Sequence, residues 1–148
     1  MSDTPLIRRR VLTFVDGLVG YPQWQHFELE LPPDGSPVAW LQGTDEEEVC
    51  FLVTDPTLVC PTFSIELPAY ARAALGLAPN QVPGMLCMLV IQPEPLAITA
   101  NLLGPIVYNP ENGLACQLVL AESGYSPRHP VVVSGAVPPG SSEGEAAC

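Results

Sequence analysis

Thr99 to Leu120, TANLLGPIVYNPENGLACQLVL, reads as a nearly self-contained β-hairpin with an unusual start. Ile106, Val107 and Tyr108 are β-branched or aromatic, and Leu114 to Leu120 follows as a second, mostly apolar strand. Between them Asn109-Pro110-Glu111-Asn112-Gly113 carries turn chemistry. Pro presets φ, and Asn-Gly supplies the positive φ that most residues resist. Upstream, Asn101-Leu102-Leu103-Gly104-Pro105 sets two leucines beside a residue without a side chain and one without an N–H. The strand breaks there. No catalytic group stands in the block. If it is functional, it is a surface to be bound, and Asn101, Leu102, Leu103, Pro105 and Ile106 are its candidates. The other reading is a structural strand with a Gly-Pro kink, and exposure of the leucines separates the two.

Outward from the hairpin, short strands recur with turn signals at close intervals. Arg9 to Phe14 reads as a strand closed by Asp16-Gly17, and Leu18 to Pro22 as an irregular apolar loop. Phe27-Glu28-Leu29-Glu30-Leu31 alternates with period two, one face apolar and the other acidic. Val38 to Gln42 and Val49 to Val53 follow, the latter stopped by Asp55-Pro56. Met85 to Ile91 is a continuous apolar run that needs burial on both faces, and Ala97 to Asn101 extends the sheet. Pro68 to Leu75, with its alanines and Gly76 as a stop, is the one good helical signal. Eighteen prolines and twelve glycines exclude long helices, since each interior Pro costs roughly 3 kcal/mol in a helix. The pattern is that of a mainly β, mainly antiparallel barrel or sandwich with one small helix. Residues 1–8 read as a flexible lead-in, 9–133 as the domain, and 134–148 as a disordered acidic Pro/Gly/Ser tail.

Charge narrows the function. Sixteen acidic residues face five arginines and no lysine, a formal net charge of −11. Direct nucleic-acid binding is excluded on that balance, because affinity for phosphate backbones comes from Lys and Arg. Acidity favours basic partners. Asp45-Glu46-Glu47-Glu48 is the densest run, read as a solvated loop or, with Glu46, Glu47 and Glu48 as its candidates, as a steering site for a basic partner. Tyr21 and Trp24 are candidate rim anchors, or aromatics that plug the barrel end. No apolar run approaches the ~18 residues of a membrane span, and no signal pattern opens the chain, so the expected location is cytoplasmic.

Chemistry is missing at every usual place. Five cysteines lack any C-x-x-C pair, and their odd number in that compartment disfavours a disulfide framework. Cys50, Cys87 and Cys116 fall in apolar strands and read as small core residues. His26 and His129 have no partner at ligand spacing, so neither metal nor cofactor is expected. Ser123 and Ser126 near His129 lack a G-x-S-x-G elbow. A binding module results. Its rivals are a small hydrolase or isomerase with a site in the barrel mouth, and a structural adaptor unrelated to translation. A ligand-sized apolar pocket with His26 or His129 beside a carboxylate is the mark of the enzyme.

Four segments in order carry a resemblance. They are Phe14-Val15-Asp16-Gly17-Leu18-Val19-Gly20-Tyr21, Phe51-Leu52-Val53-Thr54-Asp55-Pro56, Thr99 to Asn109, and Gly124-Tyr125-Ser126-Pro127-Arg128-His129-Pro130. Together they make the chain resemble the FliW family of bacterial flagellar assembly factors, over about residues 9–131. The T-A-N-L-L-x-P-I-V-x-N block is the specific one. The resemblance implies a small antiparallel β-barrel with one or two short helices, no enzymatic activity, and a monomer when alone. It also implies two partners: the translational repressor CsrA, whose repression of flagellin mRNA such proteins relieve, and flagellin itself, bound as by a partner switch or chaperone. The alanine-rich, proline-flanked helix departs from the family's longer and more charged one, and the Asp45–Glu48 run and Pro-rich tail are features of this branch.

Overall fold

The computed structural model describes residues 8–32, 36–45 and 49–131. Of the lead-in expected over 1–8, residues 1–7 lie outside them and Arg8 instead opens a strand; the tail expected over 134–148 lies outside them, as do residues 132–133 of the expected domain. Alternation builds the first sheet. In β1 (Arg8–Phe14), β2 (His26–Leu31), β3 (Val38–Gly43) and β4 (Cys50–Thr54), Leu12, Phe14, Phe27, Leu29, Ala39, Leu41 and Val53 all point inward and are buried. The residues between them, Glu28, Glu30 and Trp40 among others, face out. Antiparallel registers put Leu12 across from Phe27, Leu29 across from Leu41 and Ala39 across from Val53, so one face is continuously apolar.

The chain then folds over that face. Asp55 caps α1 (Pro56–Val59), accepting from the Thr57 amide at 2.9 Å, and α2 (Ala69–Leu75) follows. β5 (Gly84–Pro93) pairs with β6 (Leu96–Ala100), β7 (Ile106–Tyr108) with β8 (Leu114–Gln117), and β9 (His129–Pro130) with β6. Three further pairings, β7 with β5, β5 with β4 and β8 with β1, close seven strands into a barrel. The β1–β8 pairing is parallel. Seven is odd, and strands of alternating direction cannot close a ring of odd number without one parallel pair. The interior is filled by side chains, with Phe14 and Phe27 edge to face at 5.2 Å between ring centres.

The decisive hairpin forms as its turn residues require, with Gly113 at φ +80°. Asn109, 2% exposed, ties it to the helix. Its Nδ2 donates to the carbonyls of Leu75 at 2.9 Å and Gly76 at 3.3 Å, the last acceptors of α2. Its Oδ1 accepts from Gln81 Nε2 at 2.8 Å and from the Glu111 amide at 2.9 Å. Gly76 ends the helix in the left-handed region, as its sequence position suggests. Asn109→Ala removes these bonds from a buried place and leaves the Leu75 carbonyl only the Asn112 Nδ2 donor at 3.2 Å. It is expected to lower the unfolding free energy by about 2–3 kcal/mol, read as a lower urea midpoint at unchanged slope.

Three expectations need correction. The run Met85–Ile91 is buried only in part. Leu86 and Cys87 are inside, but Val90 is 57% and Ile91 47% exposed. β4 pairs with β5 only as far as Leu89, so the second half of β5 leaves the barrel wall with β6 as a projecting hairpin. Cys50 is exposed rather than a core residue, because it stands opposite Gln42 in the outward phase of its strand. Cys87 and Cys116 are buried and free, their thiols pushed up to about 12 and about 11 by loss of water. Cys60 is disulfide-bonded, which the sequence reading did not anticipate.

Candidate functional site

The loop between β1 and β2, residues 15–25, gathers the sequence candidates at one end of the barrel. It is sharply shaped. Gly17, at φ +69°, lies so close to the Pro22 backbone that a Cβ would stand 2.4 Å from the Pro22 carbonyl oxygen. Leu18 and Tyr21 bond each other's backbones at 3.2 and 2.8 Å, which throws Tyr21 outward. Tyr21 is 48% exposed and lies flat against Trp24, ring centres 4.2 Å apart and planes 6° from parallel. Trp24 in turn packs toward Phe51 and the barrel interior. A half-exposed aromatic with a buttress beneath it is the geometry of a contact anchor.

The Asn101–Ile106 block meets this loop through Gln117. Its Nε2 donates to the Gly104 carbonyl at 3.0 Å, and its Oε1 accepts from the Val19 amide at 3.0 Å. Asn101 is a turn-maker: its Oδ1 accepts from the amides of Leu103 at 3.1 Å and Gly104 at 2.9 Å. A Cβ on Gly104 would stand 3.1 Å from Gln117 Nε2 and 3.2 Å from Asn101 Nδ2, so a side chain there would press on the two amides that shape the kink. Leu102, Pro105 and Ile106 are fully buried, and Leu103 is half-buried. At 102, 105 and 106 these burials favour the structural reading, since the side chains are used up in the core and offer nothing to a partner. What the block presents outward is its neighbourhood, with Val19 at 53% and Val119 at 59% exposure. Gln117 was the overlooked member. Its signal was a lone polar side chain at the end of an otherwise apolar Leu-Ala-Cys-Gln strand.

Asp45 is bonded to the end of the same β1–β2 loop. Its Oδ2 accepts from the amides of Gln25 at 2.8 Å and His26 at 3.0 Å, and its Oδ1 lies 2.9 Å from His26 Nδ1. The His26 amide, then its ring, then the Gln25 amide hold the Asp45 carboxyl below its ordinary value. Glu46, Glu47 and Glu48 lie outside the described residues. A histidine beside a carboxylate is thus present, but both are at the surface and the carboxylate is spent on fastening a loop. His129 sits buried in β9, its pKa lowered by loss of water. Among the described residues, no group of three or more His, Cys, Asp or Glu converges on a common point. No helix among them is long and apolar enough to cross a membrane.

The arginines add nothing basic to this corner. Arg9 pairs with Glu30 at 3.5 Å, Arg10 donates to the Pro110 carbonyl and covers the Tyr108 ring, and Arg72 donates to the Ala78 carbonyl at 3.0 Å. With Arg9, Arg10 and Arg72 so engaged and sixteen acids against five arginines in the chain, an approaching molecule meets a net acidic field.

Comparison with known proteins agrees with this architecture. Residues 3–131 match the model of the family described as FliW protein. The chain is 35% identical over 121 residues to a flagellar assembly factor FliW of Geotalea uraniireducens, covering 82% of this chain and 74% of that protein. It is 31% identical over 118 residues to one from Syntrophotalea carbinolica, covering 80% and 84%. A crystal structure of the flagellar assembly factor FliW superposes with a TM-score of 0.75 at 25% identity, over 85% of this chain and 88% of that one. With the family model spanning nearly every described residue, and the barrel shared with a solved member, the chain belongs to the FliW family.

Proposed function

We propose that this protein acts in flagellar assembly by binding and not by catalysis. It binds the translational repressor CsrA, relieves repression of flagellin mRNA, and gives up CsrA when flagellin occupies it. The observation that carries the reading is the family match over residues 3–131. Charge supplies the physical mechanism. A partner of net charge −11 docked on a basic RNA-binding protein raises the cost of bringing phosphates nearby, without having to fill the RNA site. The buttressed Tyr21, with the exposed Val19 on the same loop and the Asp45 carboxylate bonded at that loop's end, is the contact surface of choice. Relief of mRNA repression places this proposed action in the cytoplasm.

The rival of a barrel-mouth hydrolase or isomerase has the His26–Asp45 pair in its favour. The hydrogen bonds on Asp45 account for that pair as a loop fastening, and the barrel interior holds side chains where a substrate would sit.

Size-exclusion chromatography with light scattering, using the CsrA and flagellin of the same host, tests the proposal. The expected result is a stable complex with CsrA that added flagellin dissolves, weakened at least about tenfold by Tyr21→Ala, the scale of a hot-spot residue. Neither partner shifting the elution would refute it and favour an adaptor of another system.

A further inference from the structure

Gln117 breaks the apolar pattern of the barrel interior. It stands directly opposite Ile106, which is fully buried in the barrel core, and two residues after Ala115, which is buried in the same core. Alternate residues of a strand share a face, so Gln117 belongs to the inward face, at the last pair of the β7–β8 ladder. A polar side chain in that place costs stability unless its amide finds partners. It finds two, and both are backbone groups. The Val19 amide donates to Oε1 and the Gly104 carbonyl accepts from Nε2, each at 3.0 Å. One partner is a donor and the other an acceptor, so a carboxamide serves both in a single orientation. An apolar side chain of the same length would fill the rim as well. The glutamine there therefore concerns position more than stability.

What Gln117 holds is the tip of the β1–β2 loop. The base of that loop is fixed on its own account: the Val15 amide donates to the Ala115 carbonyl at 3.0 Å and the Phe14 amide to the Gln25 carbonyl at 2.7 Å. The tip, residues 18–21, is folded on itself by the paired Leu18 and Tyr21 backbones. Leu18 sinks into the barrel core, while Val19 and Tyr21 stand about half exposed. Among the described residues, the bond from the Val19 amide is the one hydrogen bond between this tip and a strand. A second fixture stands behind Gln117. Gly104, whose carbonyl takes Nε2, has its own amide bonded to Asn101 Oδ1 at 2.9 Å. Asn101, Gly104, Gln117 and Val19 thus form one relay of bonds from the kinked turn to the contact loop. We propose that Gln117 is the positioning residue of the partner-binding loop: it holds the Val19–Tyr21 tip in its binding geometry before a partner arrives, with the Asn101–Gly104 turn as its abutment. The inference rests on the binding role proposed above. It gives Asn101 and Gly104 a part in binding that needs no contact with the partner. Ordering the tip in advance lowers the cost of association.

The test compares the full wild-type chain with Gln117→Met, which keeps the length of the side chain and removes both bonds. Amide exchange in the free proteins reads the loop, and titration with the CsrA and flagellin of the same host reads the binding. Expected are a urea midpoint near that of the wild type, Leu12 and Phe27 amides as protected as before, and a Val19 amide exchanging at least about tenfold faster. The Kd for at least one partner should rise about tenfold. If Gln117→Met fails to fold, Gln117→Ala serves, since it deletes the amide and puts nothing in its place. A Val19 amide that already exchanges at the open-chain rate in the wild type would overturn the proposal. Faster exchange with unchanged binding would overturn it as well. So would weaker binding with Val19 protection intact, which makes Gln117 a contact residue. A wild-type chain that binds neither partner refutes the binding role and takes this proposal with it, a failure told apart from the others because it precedes any substitution.

Discussion

Gly113→Ala is expected to destabilise the barrel by about 2–5 kcal/mol, far more than a hairpin-turn substitution normally costs. Two penalties add. At φ +80° an L side chain pays roughly 1–2 kcal/mol for the left-handed region. A Cβ would also stand 2.5 Å from the Val11 carbonyl oxygen, which is backbone of β1 and cannot swing away. Overpacking of that kind costs about 1–3 kcal/mol more. The same glycine accepts from the Thr13 amide at 2.8 Å, so the strain falls on the parallel junction that closes the barrel. Gly124→Ala isolates the first penalty, because Gly124 has φ +88° with nothing within 4 Å of its would-be Cβ. Urea denaturation of both variants reads the difference. Equal losses would mean that β1 does not approach the turn as closely as described.

Phe14→Ala should cost about 3–5 kcal/mol, the range for emptying a buried aromatic position. Phe14 is 0% exposed, packs edge-on against Phe27, and lies directly beside Ala115 at the β1–β8 seam. Ala115 cannot expand into the vacancy, so the cavity stays open. Total stabilities are about 5–15 kcal/mol, so the loss shifts the thermal midpoint by on the order of 10 °C for a chain of this size. Val11→Ala is the control. Val11 is on the same strand in the opposite phase, 61% exposed, and its truncation should stay within about 0.5 kcal/mol. A Phe14→Ala effect as small as that of Val11→Ala would remove Phe14 from the core.

Both experiments bear on function through the same junction. The loop carrying Val19 and Tyr21 leaves the end of β1 immediately after Phe14, and Gln117 fastens it to the Gly104 turn one strand away. A loosened seam therefore loosens the proposed contact corner. Binding should weaken in these variants in proportion to the folded fraction, whereas Tyr21→Ala weakens it with stability intact.

What the sequence alone determined is local. Alternation in Phe27–Leu31, the proline-flanked alanine helix with Gly76 at its end, and the Asn-Gly turn each specify their element, because side-chain direction and backbone φ are set by neighbours a few residues away. The Asn-Leu-Leu-Gly-Pro block specified the family for the same reason. Tertiary structure alone decided the rest. Barrel rather than sandwich depended on β1 meeting β8 and β4 meeting β5, and a strand's apolar face looks alike in both architectures. The phase that put Cys50 outside is fixed by register across strands, not by hydropathy along one. Gly113 shows both levels at a single residue: its turn required positive φ, legible in Asn-Gly, while its closeness to Val11 arises only when a strand about one hundred residues earlier is laid beside it.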